Sequence, residues 1–132
     1  MRVKGFTLIE ILVVLVIIGL LAGVALPRLH TIAQRFEIAA QRENLLTEIS
    51  TLGYRAYSSG QTLELRSLSA PASNTLLNMP QGWKIEAAQP IRYSFNGFCS
   101  GGKVALIGPD EFREEFQLRP PLCKPISSNS AL

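Results

Sequence analysis

Between Phe6 and Leu26 the chain carries a single charge, Glu10. The run is 21 residues long, close to the ~20 that a helix needs to cross a hydrocarbon layer of about 30 Å. This stretch limits the fold more than any other feature. A helix apolar on every side cannot lie on a small soluble core with one face in water. It must be covered by lipid or by other apolar helices. A secretory signal peptide does not fit. Arg2 and Lys4 form a basic start, but the apolar run is too long and "ALPRLH" lacks the small-residue cleavage pattern. A plain anchor fits the length and leaves Glu10 without a reason. A carboxylate costs about 2.5–3.5 kcal/mol at the centre of a spanning helix and less near an interface. Such groups are usually paired or functional.

The stretch "KGFTLIE", Lys4 to Glu10, resembles the class III signal of type IV pilins and type II secretion pseudopilins. The resemblance covers roughly the first 30 residues. It implies a leader of residues 1–5, cut by a prepilin peptidase between Gly5 and Phe6, and N-methylation of Phe6. Glu10 then occupies the fifth mature position, where the family has glutamate, and Pro27 a position where proline is common. The implied partners are the peptidase, other pilins or pseudopilins in a helical filament, the inner membrane, and a secretion or pilus assembly platform. The implied location is the bacterial inner membrane, single-pass, with the C-terminal part in the periplasm and assembled into a pseudopilus. The resemblance also gives Glu10 a physical role. Cleavage creates an amine one helical turn away. In a filament the amine of one subunit can meet the Glu10 carboxylate of its neighbour, and an unpaired charge there is penalised by several kcal/mol. The pairing would set axial register, making Glu10 an assembly residue.

Beyond Pro27 the pattern becomes amphipathic. Leu29, Ile32, Ala33, Phe36, Ala39, Ala40, Leu45, Leu46, Ile49, Leu52 and Ala56 recur at three- and four-residue spacings. One long helix is expected over 6–57, its transmembrane and assembly segment 6–26, its later stripe packed on a globular head. Gly19 and Gly23 form a small-xxx-small pair that permits close helix approach. Pro27 lacks a donor and crowds the preceding turn, so a kink or local melting is expected there. Ser58, Ser59 and Gly60 are stop residues.

The head, 58–132, is read as a small antiparallel β-sheet on the helix, an α+β arrangement like that of pilins. "LELRSL" is ambiguous and "SAPASN" is loop. "WKIEA", "IRYSF", "KVALI" and "FREEFQL" are candidate strands, with Ile91, Tyr93 and Phe95 on one face. Gly101-Gly102 is expected to make a tight turn between the second and third. Cys99 and Cys123 are the only cysteines. Two thiols in a small exported domain are expected to form a disulfide. A loop of about 25 residues gives about 3.5 kcal/mol of chain-entropy stabilisation. The tail "KPISSNSAL" is expected to be mobile. The segment "MPQGWKIEAAQPIRYSFNGFCSGGKVAL" is similar to the head of H-type minor pseudopilins and of minor pilins of DNA uptake. The aspartate-rich calcium loop of the major pseudopilin has no counterpart, since Asp110 is the only aspartate, with Glu111 beside it.

Charge excludes further classes. Thirteen basic and ten acidic side chains give +3. Without Arg2 and Lys4 the balance is 13 − 2 = 11 against 10, which is no electrostatic footprint for nucleic acid. His30 is the only histidine and has no Asp or Ser partner in sequence reach. No phosphate-binding glycine loop or metal-ligand cluster is present in the sequence. No catalytic residue, cofactor or metal is therefore expected. The remaining readings are a minor pseudopilin of a type II secretion system and a minor type IV pilin of pilus assembly or DNA uptake.

Overall fold

A computed structural model describes residues 5–69 and 76–128. Leader residues 1–4, the "SAPASN" loop beyond Ser69 and the last four tail residues lie outside the described residues. The architecture is α+β: helix α1, Leu8–Ser59, then seven short strands. The chain divides into two compact units, residues 1–37 and 38–132.

In the N-terminal unit, α1 starts after Thr7. The Glu10 backbone N–H reaches the Thr7 carbonyl at 3.1 Å and the Thr7 hydroxyl at 3.4 Å. Thr7 therefore satisfies donors that the first helical turn leaves open. Helical structure continues through Pro27 without a break, so the expected local melting does not occur. One proline removes one donor, and the hydrogen bonds on either side hold the helix together.

In the C-terminal unit, α1 buries Leu45, Ile49, Leu52 and Ala56, a 4-3-4 spacing that keeps one stripe facing the core. Ile38 and Leu46 pack at its edge. The stripe begins later than its periodicity suggests: Leu29, Ile32 and Phe36 are all exposed, Phe36 at 72%. Periodicity identifies a face but not what covers it. The helix ends in a Schellman motif. Gly60 adopts φ 64°, its N–H meets the Tyr57 carbonyl at 3.3 Å, and the Gln61 N–H meets that of Ala56 at 3.2 Å.

The strands form two antiparallel sheets rather than one. Strand β1, Leu63–Leu65, pairs with β4, Ile91–Tyr93. The other sheet has the order β2-β3-β5-β6-β7, with β2 Leu68–Ser69, β3 Lys84–Ala87, β5 Gly102–Ile107, β6 Arg113–Arg119 and β7 Lys124–Ser127. Three expectations are corrected here. Gly101-Gly102 is not a hairpin turn, because β4 and β5 lie in different sheets. Instead Gly101, at φ 76°, passes the chain between sheets where space is tight; a Cβ there would lie 2.6 Å from Pro120 Cδ. Phe95 leaves the buried face of Ile91 and Tyr93 and is 63% exposed, since the chain turns at once: Gly97 N–H bonds the Ser94 carbonyl at 2.8 Å. The start of the tail is strand β7, paired along the free edge of β6. Pro125 is tolerated because the strand is an edge.

Candidate functional site: the N-terminal segment

Gly5 and Phe6 precede the helix in non-helical backbone, both exposed. An added Cβ at Gly5 would meet nothing within 4 Å, so no packing among the described residues requires a glycine there. Gly19 and Gly23 have the same open surroundings. Glu10 is exposed, in the first turn of α1. Thr7-Leu8-Ile9-Glu10 has the spacing of a capping box, and an acidic first turn suits the helix dipole. This local signal was readable in the sequence and assigns Thr7 a role that the family pattern alone does not bring out.

The large apolar side chains of this segment are uncovered. Leu8 is 84% exposed, Leu20 69% and Val24 66%. An 18-residue window of α1 has a mean hydropathy of 3.0 and is 0% buried within the chain. Monomeric soluble proteins rarely expose so large a contiguous apolar surface. Its cover must come from lipid or other helices.

The C-terminal unit is built as a scaffold. Cys99 and Cys123 are joined, with Cα atoms 5.9 Å apart, and the Cys99 N–H also bonds the Pro121 carbonyl at 3.0 Å. Arg42 on α1 forms a fork with Glu114 on β6, at 2.7 and 2.8 Å, while its guanidinium lies 5.5 Å from the Phe116 ring centroid. The Arg42 hydrogen bond holds the Glu114 carboxyl below its ordinary value. Trp83 is fully buried, donates to Gln41 Oε1 at 2.6 Å and meets Phe112 edge-on at 5.8 Å. The Tyr93 hydroxyl is buried without a hydrogen-bond partner among the described residues, and burial pushes its pKa up to about 12. His30 is exposed. Among the described residues no group of three or more His, Cys, Asp or Glu is placed to hold a metal ion.

The apolar N-terminal helical segment is long enough to cross a membrane and, with the small α+β unit, is consistent with a membrane-anchored, single-pass kind of protein. The model of the prokaryotic N-terminal methylation motif matches residues 1–26. The chain carries the class III signal of type IV pilins and pseudopilins. That signal implies processing by a prepilin peptidase and pilin-like filament partners, and it points to a structural protein. No curated protein and no solved structure matches the chain.

Proposed function

We propose that the protein is a minor pseudopilin, a structural subunit of the periplasmic pseudopilus of a type II secretion system. In this reading the peptidase cuts between Gly5 and Phe6, Phe6 is methylated, and residues 6–26 hold the mature chain in the bacterial inner membrane before assembly. The C-terminal unit stands in the periplasm, where a disulfide is maintained. Glu10 pairs with the Phe6 amine of a neighbour, and Pro27 bends the helix as it packs into the filament. The carrying observation is an apolar helix with no cover among the described residues, directly behind a class III signal. The turn chemistry of residues 79–106, similar to H-type minor pseudopilins, favours that subtype.

Mass spectrometry of the membrane-extracted protein tests the reading. The expected product lacks residues 1–5 and carries one methyl on Phe6. An intact Met1, or a cut near Ala25, would overturn it. A second reading, a minor type IV pilin of DNA uptake, draws support from one observation: Arg119 and Lys124 are exposed without an ion pair among the described residues. Deletion of the gene separates the two: loss of protein secretion supports the first, loss of transformation the second.

A further inference from the structure

The exposed apolar groups of the C-terminal unit are unevenly placed. Among the described residues of 38–128 the large exposed ones are Tyr54, Tyr57, Phe95, Phe98, Leu122 and Ile126. Tyr54, Tyr57 and Leu122 line a single groove of about 310 Å³. Phe95 and Phe98 flank Asn96 and Gly97, which line it too. Apolar side chains exposed singly are ordinary, but a concentration at one place marks a binding surface.

Three segments build the groove. The end of α1 supplies Ser50, Gly53, Tyr54 and Tyr57, and the loop between β4 and β5 supplies Asn96 and Gly97. Leu122 comes from the turn between β6 and β7, and Lys124 is the first residue of β7. The Cys99–Cys123 disulfide ties the loop to the turn. Helix and loop meet through glycines: an added Cβ at Gly53 would be 3.3 Å from the Gly97 carbonyl oxygen. The walls are therefore held in place before anything binds, which lowers the ordering cost of binding.

The free polar groups of the groove are mainly donors. Asn96 Oδ1 already accepts the Phe98 N–H at 3.0 Å, which leaves the amide NH2 to donate. The Ser50 hydroxyl donates back to the Thr47 carbonyl at 2.7 Å. Lys124 is exposed and has no ion pair among the described residues, and no described carboxylate lines the groove. Arg119, its register partner on β6, is likewise exposed and without an ion pair among the described residues. Like charges directly opposite one another disfavour strand pairing. The fold thus keeps two neighbouring cations beside an apolar groove and supplies no anion for either.

We propose that this groove binds an acidic segment of another protein. One large apolar side chain enters between Tyr54, Tyr57 and Leu122, and a neighbouring carboxylate meets Lys124 and Arg119. A volume near 310 Å³ is at the small end for ligand pockets and suits one side chain anchored among aromatics. A lipid surface is too flat to enter it. Nucleic acid fits less well, because nine basic against eight acidic side chains in residues 38–128 leave almost no positive field. The inference lies within the C-terminal unit and does not depend on which filament the chain serves.

The test uses the full-length protein purified in detergent. The probe is a short synthetic peptide with the photocrosslinker benzoylphenylalanine between two glutamates, and adducts are mapped by mass spectrometry. The expected adducts fall on residues 50–57 and 122–124. The same peptide with plain phenylalanine should compete. A peptide with lysines for the glutamates, or with glycine for the aromatic residue, should not. Arg119→Glu with Lys124→Glu should lower the adduct yield by roughly three- to tenfold, as expected for two exposed charge pairs, and should raise the yield of a lysine-flanked probe. Tyr57→Ala, which keeps the Cβ that faces Gly97, should also lower the yield. Trp83 emission verifies folding, and Lys124→Gln replaces any reversal that unfolds. Adducts confined to the apolar segment 6–26 overturn the proposal, as does equal competition by the lysine or glycine peptide. A yield that the charge variants leave unchanged overturns it too. So does stronger displacement by an oligonucleotide or by phosphatidylglycerol vesicles than by the phenylalanine peptide.

Discussion

Gly101→Ala separates the sheet-to-sheet crossing from an ordinary turn. Gly101 sits at φ 76°, where a side chain costs about 1–2 kcal/mol. Its added Cβ would also lie 2.6 Å from Pro120 Cδ and 2.9 Å from the Leu118 carbonyl oxygen. Forcing extra volume into packed structure costs about 1–3 kcal/mol. The two effects total roughly 2–5 kcal/mol, a large share of a small domain's stability. A domain of this size loses about 4–8 °C in Tm per kcal/mol, so a fall of at least ~8 °C is expected. Gly60 supplies the control. Its φ is 64°, but nothing lies within 4 Å of an added Cβ, so Gly60→Ala should show the conformational penalty alone. Asparagine sharpens the comparison because it tolerates left-handed backbone. Gly60→Asn should be nearly neutral, and Gly101→Asn should remain strongly destabilising. Trp83, the only tryptophan and fully buried, makes its emission during a thermal melt of the mature protein in detergent a suitable assay. Equal melting of the two asparagine variants would refute the crowding argument.

Three further outcomes are expected. Replacing Cys99 and Cys123 with serine removes a cross-link of sequence separation 24, about 3.5 kcal/mol in the chain-entropy model; an unchanged Trp83 melt would contradict this. The Glu114 pKa is lowered in the folded protein by its Arg42 hydrogen bond, so its stabilisation is present above the ordinary value of 4.5 and is lost as pH falls through the lowered folded value. Glu114→Gln should therefore lose stability at neutral pH and show a flatter decline below about pH 5 than the parent, and parallel melting curves from pH 7 to 3 would count against the pair. Glu10→Gln and Glu10→Val should leave cleavage after Gly5 and the Trp83 melt largely unchanged but reduce crosslinking to neighbouring subunits; full incorporation of both variants would reduce Glu10 to a helix-capping or interfacial residue.

The parts legible in the sequence are those governed by local physics. The helix could be read because hydropathy and spacing act over a few residues, and its end at Ser59–Gly60 follows from glycine's freedom at positive φ. Strands β3, β5 and β6 could be read from their alternation or apolar runs. The pairing of strands could not. That β4 joins β1 and not β5 depends on where distant segments settle on α1, and no local pattern records it. Strand β7 was hidden because Pro125 and the serines after it have low strand propensity, and pairing with the free edge of β6 outweighs that preference. Asp110 and Glu111 read as an ordinary charged turn, since left-handed backbone at two non-glycine residues leaves no sequence signal.

The glycines distinguish residues that serve the fold from residues that serve something outside it. Gly53, Gly101 and Gly108 lie where an added Cβ would come within 3.3 Å of another atom, so packing inside the C-terminal unit explains them. Gly5, Gly19 and Gly23 have open space around them, yet two of the three lie within a helix, where glycine costs roughly 0.5–1 kcal/mol relative to alanine. No contact among the described residues offsets that penalty. The same holds for the apolar side chains around them, which no described residue covers, and for Glu10, which has no ion pair among the described residues. A segment that departs from local stability rules at the backbone, at its apolar surface and at its one charge has requirements that a single chain does not meet. A peptidase that needs a small residue at Gly5, close helix approach at Gly19 and Gly23, and an amine opposite Glu10 would meet all three.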